Sequence, residues 1–177
     1  MGDKYVYEEV DRLKSGAVRR YTSRVVLATD DRVEFAGGNL VLDQMGNILQ
    51  NRTGIKKPGL LKVPADIALG KRWRTAYTNT RPDGEAVASY WDFRVVALEE
   101  IQVPAGSFRA FKIEGNGADK FIGRRTPLDG ELASRQFFWI DPLTMIELRG
   151  EQELRDGKGK ITYHVYRELV SYERAPR

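Results

Sequence analysis

Few side chains in this sequence are equipped for bond-making chemistry. None of the 177 residues is cysteine, which removes thiol nucleophiles and cysteine-ligated zinc or iron–sulfur sites. The single histidine, His164, lies in a strand-like run between Tyr163 and Val165. A triad, a histidine metal site or an imidazole base would have to use it, and a packed or surface role explains it as simply. No Gly-x-Ser-x-Gly elbow is present. Gly115-Asn116-Gly117 lacks the third glycine and the following helix of a dinucleotide fingerprint. Carboxylate pairs remain as acid–base candidates. Glu99 and Glu100 are neighbours on a strand and point to opposite faces. Asp92 falls on a polar parity and reads as solvated. Asp43 and Asn47 flank Gln44-Met45-Gly46, which does not supply the alternating oxygens of a calcium loop. No catalytic residue, metal ligand or cofactor is therefore assigned.

The chemistry that the sequence favours is apolar contact. Trp73, Tyr77, Trp91, Phe93, Phe111 and Trp139 are the candidate ligand-binding residues. Rings that line a concavity with a few polar groups among them form the usual small-molecule site. The alternative is that they fill a solid core, since each ring removes a large apolar area from water.

Strands must position these rings. Trp73, Thr75 and Tyr77 share one parity, and Val87, Ser89, Trp91, Phe93 and Val95 share another that reads as inward, opposite Tyr90, Asp92 and Arg94. Tyr21, Ser23, Val25 and Leu27 alternate in the same way. Turn signals separate such runs: Ser15-Gly16, Asp30-Asp31, Gly37-Gly38-Asn39, residues 43–47, Pro104-Ala105-Gly106, Pro127 to Gly130, Asp141-Pro142 and Asp156-Gly157. Gly115-Asn116-Gly117 is expected to break a ladder, with a brief strand over Lys120 to Arg125 after it. Residues 51–69 carry Gly54, Pro58, Gly59 and Pro64 and read as one long irregular segment, with room for a helical turn at Pro64 to Ala68. The fold class is all-β: an antiparallel meander of about 9–11 strands forming an open or closed barrel, with little or no helix.

A chain of this length is most simply one domain, residues 1–177. The net charge of +4 comes from 29 basic and 25 acidic residues. The basic residues occur as pairs such as Arg19-Arg20 and Lys71-Arg72 rather than as a stripe, so no nucleic-acid partner is expected. No apolar run is long enough for a transmembrane helix.

The central block carries a resemblance. Gly70-Lys71-Arg72-Trp73, Val103-Pro104-Ala105-Gly106-Ser107-Phe108, Phe111-Lys112-Ile113 and Phe138-Trp139-Ile140-Asp141-Pro142 resemble bacterial exported proteins of the DUF3108-like group. The match runs from Gly70 to about Glu153. It implies a periplasmic antiparallel barrel, distantly similar to the lipoprotein carriers LolA and LolB, whose half-barrels hold acyl chains. This chain departs from those carriers in lacking their covering helices. The expected function is an exported, non-enzymatic domain holding an apolar or lipid-like ligand, or an envelope partner, in an aromatic-lined concavity rimmed by residues 51–69. A structural or protein-interaction module with a solid core, and a carboxylate-based hydrolase, are the alternatives.

Overall fold

The computed structural model describes residues 2–14, 16–38, 40–122 and 132–175. Twelve strands follow one another along the chain: β1 Lys4–Asp11, β2 Ala17–Ala28, β3 Arg32–Phe35, β4 Leu40–Asp43, β5 Ile48–Asn51, β6 Gly54–Leu60, β7 Arg72–Thr80, β8 Ala86–Val103, β9 Gly106–Ile122, β10 Leu132–Ile140, β11 Glu147–Arg155 and β12 Ile161–Glu173. Each pairs antiparallel with its neighbours in sequence, and β1 pairs with β12. The sheet is thereby a closed barrel, and each described strand has a partner on both sides. Closure settles the open-or-closed alternative, although β2 before Val25 and β7 before Thr78 are paired in register on one side only. Eight strands enclose roughly what their own side chains fill, so a ring of twelve has more room inside.

The inward parity of β8 is buried from Val87 through Val95, while Tyr90, Asp92 and Arg94 are exposed. Cross-strand register carries this inner face around the wall. One row runs Val95, Ile113, Phe138, Gly150, Arg167, Glu9 and Arg19 across β8 to β12, β1 and β2. Directly opposite residues share a face, so Arg167, Glu9 and Arg19 look into the same interior as Phe138.

Two sequence expectations are corrected. Gly115-Asn116-Gly117 does not break a ladder, because β9 is continuous from Gly106 to Ile122. The glycines serve close packing instead. A Cβ at Gly115 would lie 2.5 Å from the Phe93 ring, and one at Gly117 would lie 2.5 Å from the Trp91 ring. Lys120–Ile122 therefore belong to β9. Residues 123–125, the Pro127–Gly130 turn, Ser15 and Asn39 lie outside the described residues.

Residues 51–69 are likewise not one irregular segment. Gly54–Leu60 form β6, which pairs with β5 and, through Ile55–Lys57, with β7. Pro58 follows directly where the β7 pairing ends, opposite an irregularity in the β5 register. A residue without an N–H donor is tolerated at such a place. The segment without strand structure is residues 61–71, which contains turns and no helix.

Two apolar clusters are buried. Leu60, Trp91, Phe93, Val95, Ile113, Phe138 and Ile140 form the first, joined by Trp73, Tyr77, Phe111, Val63 and Ile67. Ile101, Val103, Ala110, Trp139, Leu148 and Leu169 form the second. Past an irregularity between Val95 and Ala97, the β8–β9 hairpin reaches over β10 and β11 to β12. There the Ala105 N–H donates to the Leu169 carbonyl at 3.2 Å. Arg149 Nη2 donates to the Gln102 carbonyl at 2.6 Å on the way.

Candidate functional site

Five of the six candidate rings converge. Trp73 stacks on Phe93 at 5.2 Å, Trp91 stacks on Phe93 at 5.6 Å, and Phe138 meets Phe93 edge-on at 5.9 Å. Tyr77 and Phe111 pack against the same cluster. Register explains the assembly: Trp73 lies opposite Phe93, Thr75 opposite Trp91 and Tyr77 opposite Ser89, so β7 and β8 present one continuous ring surface. Each such aromatic pair adds about 0.5–1.5 kcal/mol beyond area burial. The Trp91 indole N–H is buried on the side of Tyr77, whereas Trp73 Nε1 donates to the Leu61 carbonyl.

Trp139 is not among them. It is adjacent to Phe138 on β10, and neighbours on a strand face opposite ways. Its ring sits in the second cluster, under the β8–β9 arm, and Nε1 donates to Glu99 Oε1 at 2.7 Å. Phe137-Phe138-Trp139 shows rings on both faces in the sequence, but nothing local says that an arm covers the outer one.

The wall across the barrel is different. In the strand ring, β8 and β2 stand half a circuit apart, as do β7 and β1. On that side the inward positions are Tyr7, Glu9, Arg19 and Tyr21, with Arg167 beside them. Tyr7 stacks on Tyr21 at 5.6 Å and donates its hydroxyl to the Glu147 carbonyl at 3.0 Å. Arg19 and Arg52 stand over the Tyr21 ring at 5.3 Å and 5.7 Å, and both approach Glu9, at 3.1 Å and 3.9 Å. A cavity of about 20 Å³ lies beside this wall, lined by Gln136, Phe138, Gln152, Tyr163, Val165 and Arg167 among others. That is room for about one water. A wider depression lies on the exposed outer side, over Arg74, Ala76, Tyr90 and Asp92.

At the base of the charged wall sits a half-buried triad. Lys62 Nζ and Arg167 Nη2 each lie 2.5 Å from a Glu147 carboxylate oxygen. Burial pushes the Glu147 carboxyl up, but the Arg167 and Lys62 charges outweigh it and hold the pKa at about 2. Burial pulls Lys62 down, and Glu147 only partly restores it. Lys62 also stands over the Phe138 ring at 4.6 Å. With Val63 and Ile67 packed on the first cluster, the 61–71 segment therefore folds against the apolar interior. Sequence reasoning singled out this region as a rim and missed the triad, because its three members are 85 and 20 residues apart in pairs.

A second polar group sits beside the rings. Lys56 is buried on β6 and donates to Asn51 Oδ1 at 2.7 Å, Thr53 Oγ1 at 3.2 Å and Asn79 Oδ1 at 3.2 Å. Burial, partly offset by Asp119, lowers its pKa to about 8. Burial raises Asp119, although Ser89 Oγ donates to it at 2.5 Å. Burial and the Asp119 charge raise Tyr77, against the contacts with Ser89 and Trp91.

The carboxylate and histidine candidates have ordinary partners. Asp92 pairs with Arg74, and Asp43 accepts hydrogen bonds from Met45, Asn47 and the Asn47 side chain within its own turn. His164 Nε2 lies 2.8 Å from Glu151 Oε1, and Arg12 is 3.9 Å from the same carboxylate. Glu151 pairs in register with Phe137, on the outer face. Among the described residues no group of three or more His, Cys, Asp or Glu is arranged to hold a metal.

No protein-family model matches the chain, and no curated protein matches it. Solved structures do. The hypothetical lipoprotein YmcC from Escherichia coli K12 superposes with a TM-score of 0.51 at 13% identity, over 99% of this chain and 86% of that one. A candidate exported protein with YmcC-like fold from Bacteroides fragilis gives a TM-score of 0.45 at 12% identity, over 98% and 96%. A candidate lipoprotein from Parabacteroides distasonis gives 0.47 at 14% identity, over 97% and 95%. At these identities the likeness to YmcC is one of fold: this chain and that lipoprotein share a barrel architecture.

Proposed function

We propose that this protein is an exported, non-enzymatic carrier or sensor that holds an apolar, lipid-like molecule inside its barrel against the rings of Trp73, Tyr77, Trp91, Phe93 and Phe111. The observation that carries this reading is the inward stack of Trp73, Phe93 and Trp91. A flat ring surface suits an acyl chain or a planar apolar group. Leu60, Val63 and Ile67 cover these rings in the structure. The 61–71 segment then acts as a gate, and a ligand takes the place of Val63 and Ile67. The fold shared with YmcC, a hypothetical lipoprotein, supports a place in the cell envelope.

Tryptophan fluorescence tests the reading. Micromolar oleate or phospholipid is expected to shift the emission of the wild-type protein. Trp91→Phe is expected to weaken binding roughly tenfold, about 1.4 kcal/mol. Trp139→Phe, which alters only the outer cluster, is expected to leave affinity unchanged. An emission spectrum unmoved across a panel of lipids would remove the proposal.

A further inference from the structure

The wall opposite the rings carries more positive than negative charge. Arg19, Arg52, Arg167 and Lys62 face two carboxylates, Glu9 and Glu147, among the described residues. Asp11, on the same inner face nearer the rim, is taken by Lys14 at 3.7 Å and by the Leu13 and Lys14 backbone. Glu9 is shared between Arg19 and Arg52, and Glu147 between Lys62 and Arg167, so each acid serves two cations. Every pair is therefore one negative charge short.

These cations are also placed to receive something. Arg19 and Arg52 keep half of their side-chain surface open, and Arg167 a third, although Arg167 lies on the inner row beside Glu9. Three phenol-bearing residues, Tyr7, Tyr21 and Tyr163, stand around them. Phe138, which meets Phe93 edge-on, shares one small cavity with Glu9 and Arg167, so the ring cluster and the charged wall border the same interior space.

We infer that the charged wall is an anion site, and that the molecule taken up by the barrel is an anionic amphiphile whose oxyanion head group lies among Arg19, Arg52 and Arg167. This rests on the apolar reading above for the tail and on the cation surplus for the head. The shared head-group chemistry is an oxyanion, carboxylate or phosphate. Guanidinium groups suit both because their paired N–H donors match two oxygens at once.

Titration of the intact protein with four probes tests the inference: oleate, oleoyl lysophosphatidate, oleyl alcohol and inorganic phosphate, each below micelle-forming concentration. Both acidic amphiphiles are expected to bind at least tenfold more tightly than the alcohol. Arg19→Gln with Arg52→Gln, at half-exposed positions, is expected to erase that advantage without changing binding of the alcohol. Arg167→Gln, which leaves the Lys62–Glu147 pair intact, is expected to do the same. A preference for oleate or for lysophosphatidate identifies the head group. Equal binding of acid and alcohol, unaffected by these variants, overturns the anion site and leaves the apolar reading standing. Binding of phosphate alone, lost in Arg167→Gln, removes the lipid and makes the site one for a free anion. Silence with all four probes overturns both.

Discussion

The ring wall and the charged wall of the barrel have the same strand geometry and solve the interior differently. On β8 every second residue from Val87 to Val95 is buried and only Ser89 is polar. Its stability comes from area, at about 1.5–3 kcal/mol for each large apolar side chain removed from water. On β1 all eight residues are only half-buried, and the interior there is held by ion pairs that share acids. Charges taken out of water contribute little net stability when paired and cost much when a partner is removed. The contrast teaches that one wall tolerates volume changes poorly and the other tolerates charge changes poorly.

The sharpest break of this contrast is Glu147→Gln. It leaves Lys62 and Arg167, both partly buried, without their shared counter-charge and is expected to cost about 3 kcal/mol by denaturant unfolding. The wild-type acid response has a defined sign. With its folded pKa at about 2 against an ordinary 4.5, Glu147 contributes stability above pH 4.5 that is lost as pH falls from there toward 2. That part of the acid limb is expected to vanish in the variant. If Glu147→Gln unfolds with wild-type stability, the triad does not hold the base of the charged wall.

Gly117→Ala probes the other wall. The added methyl meets the Trp91 ring and the Tyr90 carbonyl, each 2.5 Å from its position, and is expected to cost about 1–3 kcal/mol with a changed Trp91 emission. Unaltered stability and emission would mean that the ring surface is loosely packed.

The smallest effect separates Lys56 from both walls. Its folded pKa of about 8 lies below the ordinary 10.5, so the unfolded chain binds more protons between those values. Stability from this residue therefore rises with pH across that window, by about 1 kcal/mol per unit at most. Lys56→Met is expected to flatten that rise in a pH series of thermal unfolding.

The ring wall was legible because apolar alternation is a positive signal: Val87, Trp91, Phe93 and Val95 mark their own face. The charged wall was not. Glu8-Glu9 on β1 opposes Arg20 and Arg19 on β2 in register, and neither pair marks a face by its residue types. Only one of each faces the interior. Alternation assigns the two faces but does not say which is inside when both are charged. Trp139 was misassigned to the ring wall for a related reason: it is buried, but by the β8–β9 arm.

What the sequence determined by itself is the period-two patterning, the turns that chop it and the rings of β7 and β8, since these depend on residues within a few positions of one another. Tertiary structure alone decided that β1 closes onto β12, that Gly115 and Gly117 seat Phe93 and Trp91, and that Lys62, Glu147 and Arg167 meet. Closure and ion pairing join residues scores of positions apart. Their stabilisation depends on distance and on exclusion of water, neither of which any local run of residues encodes.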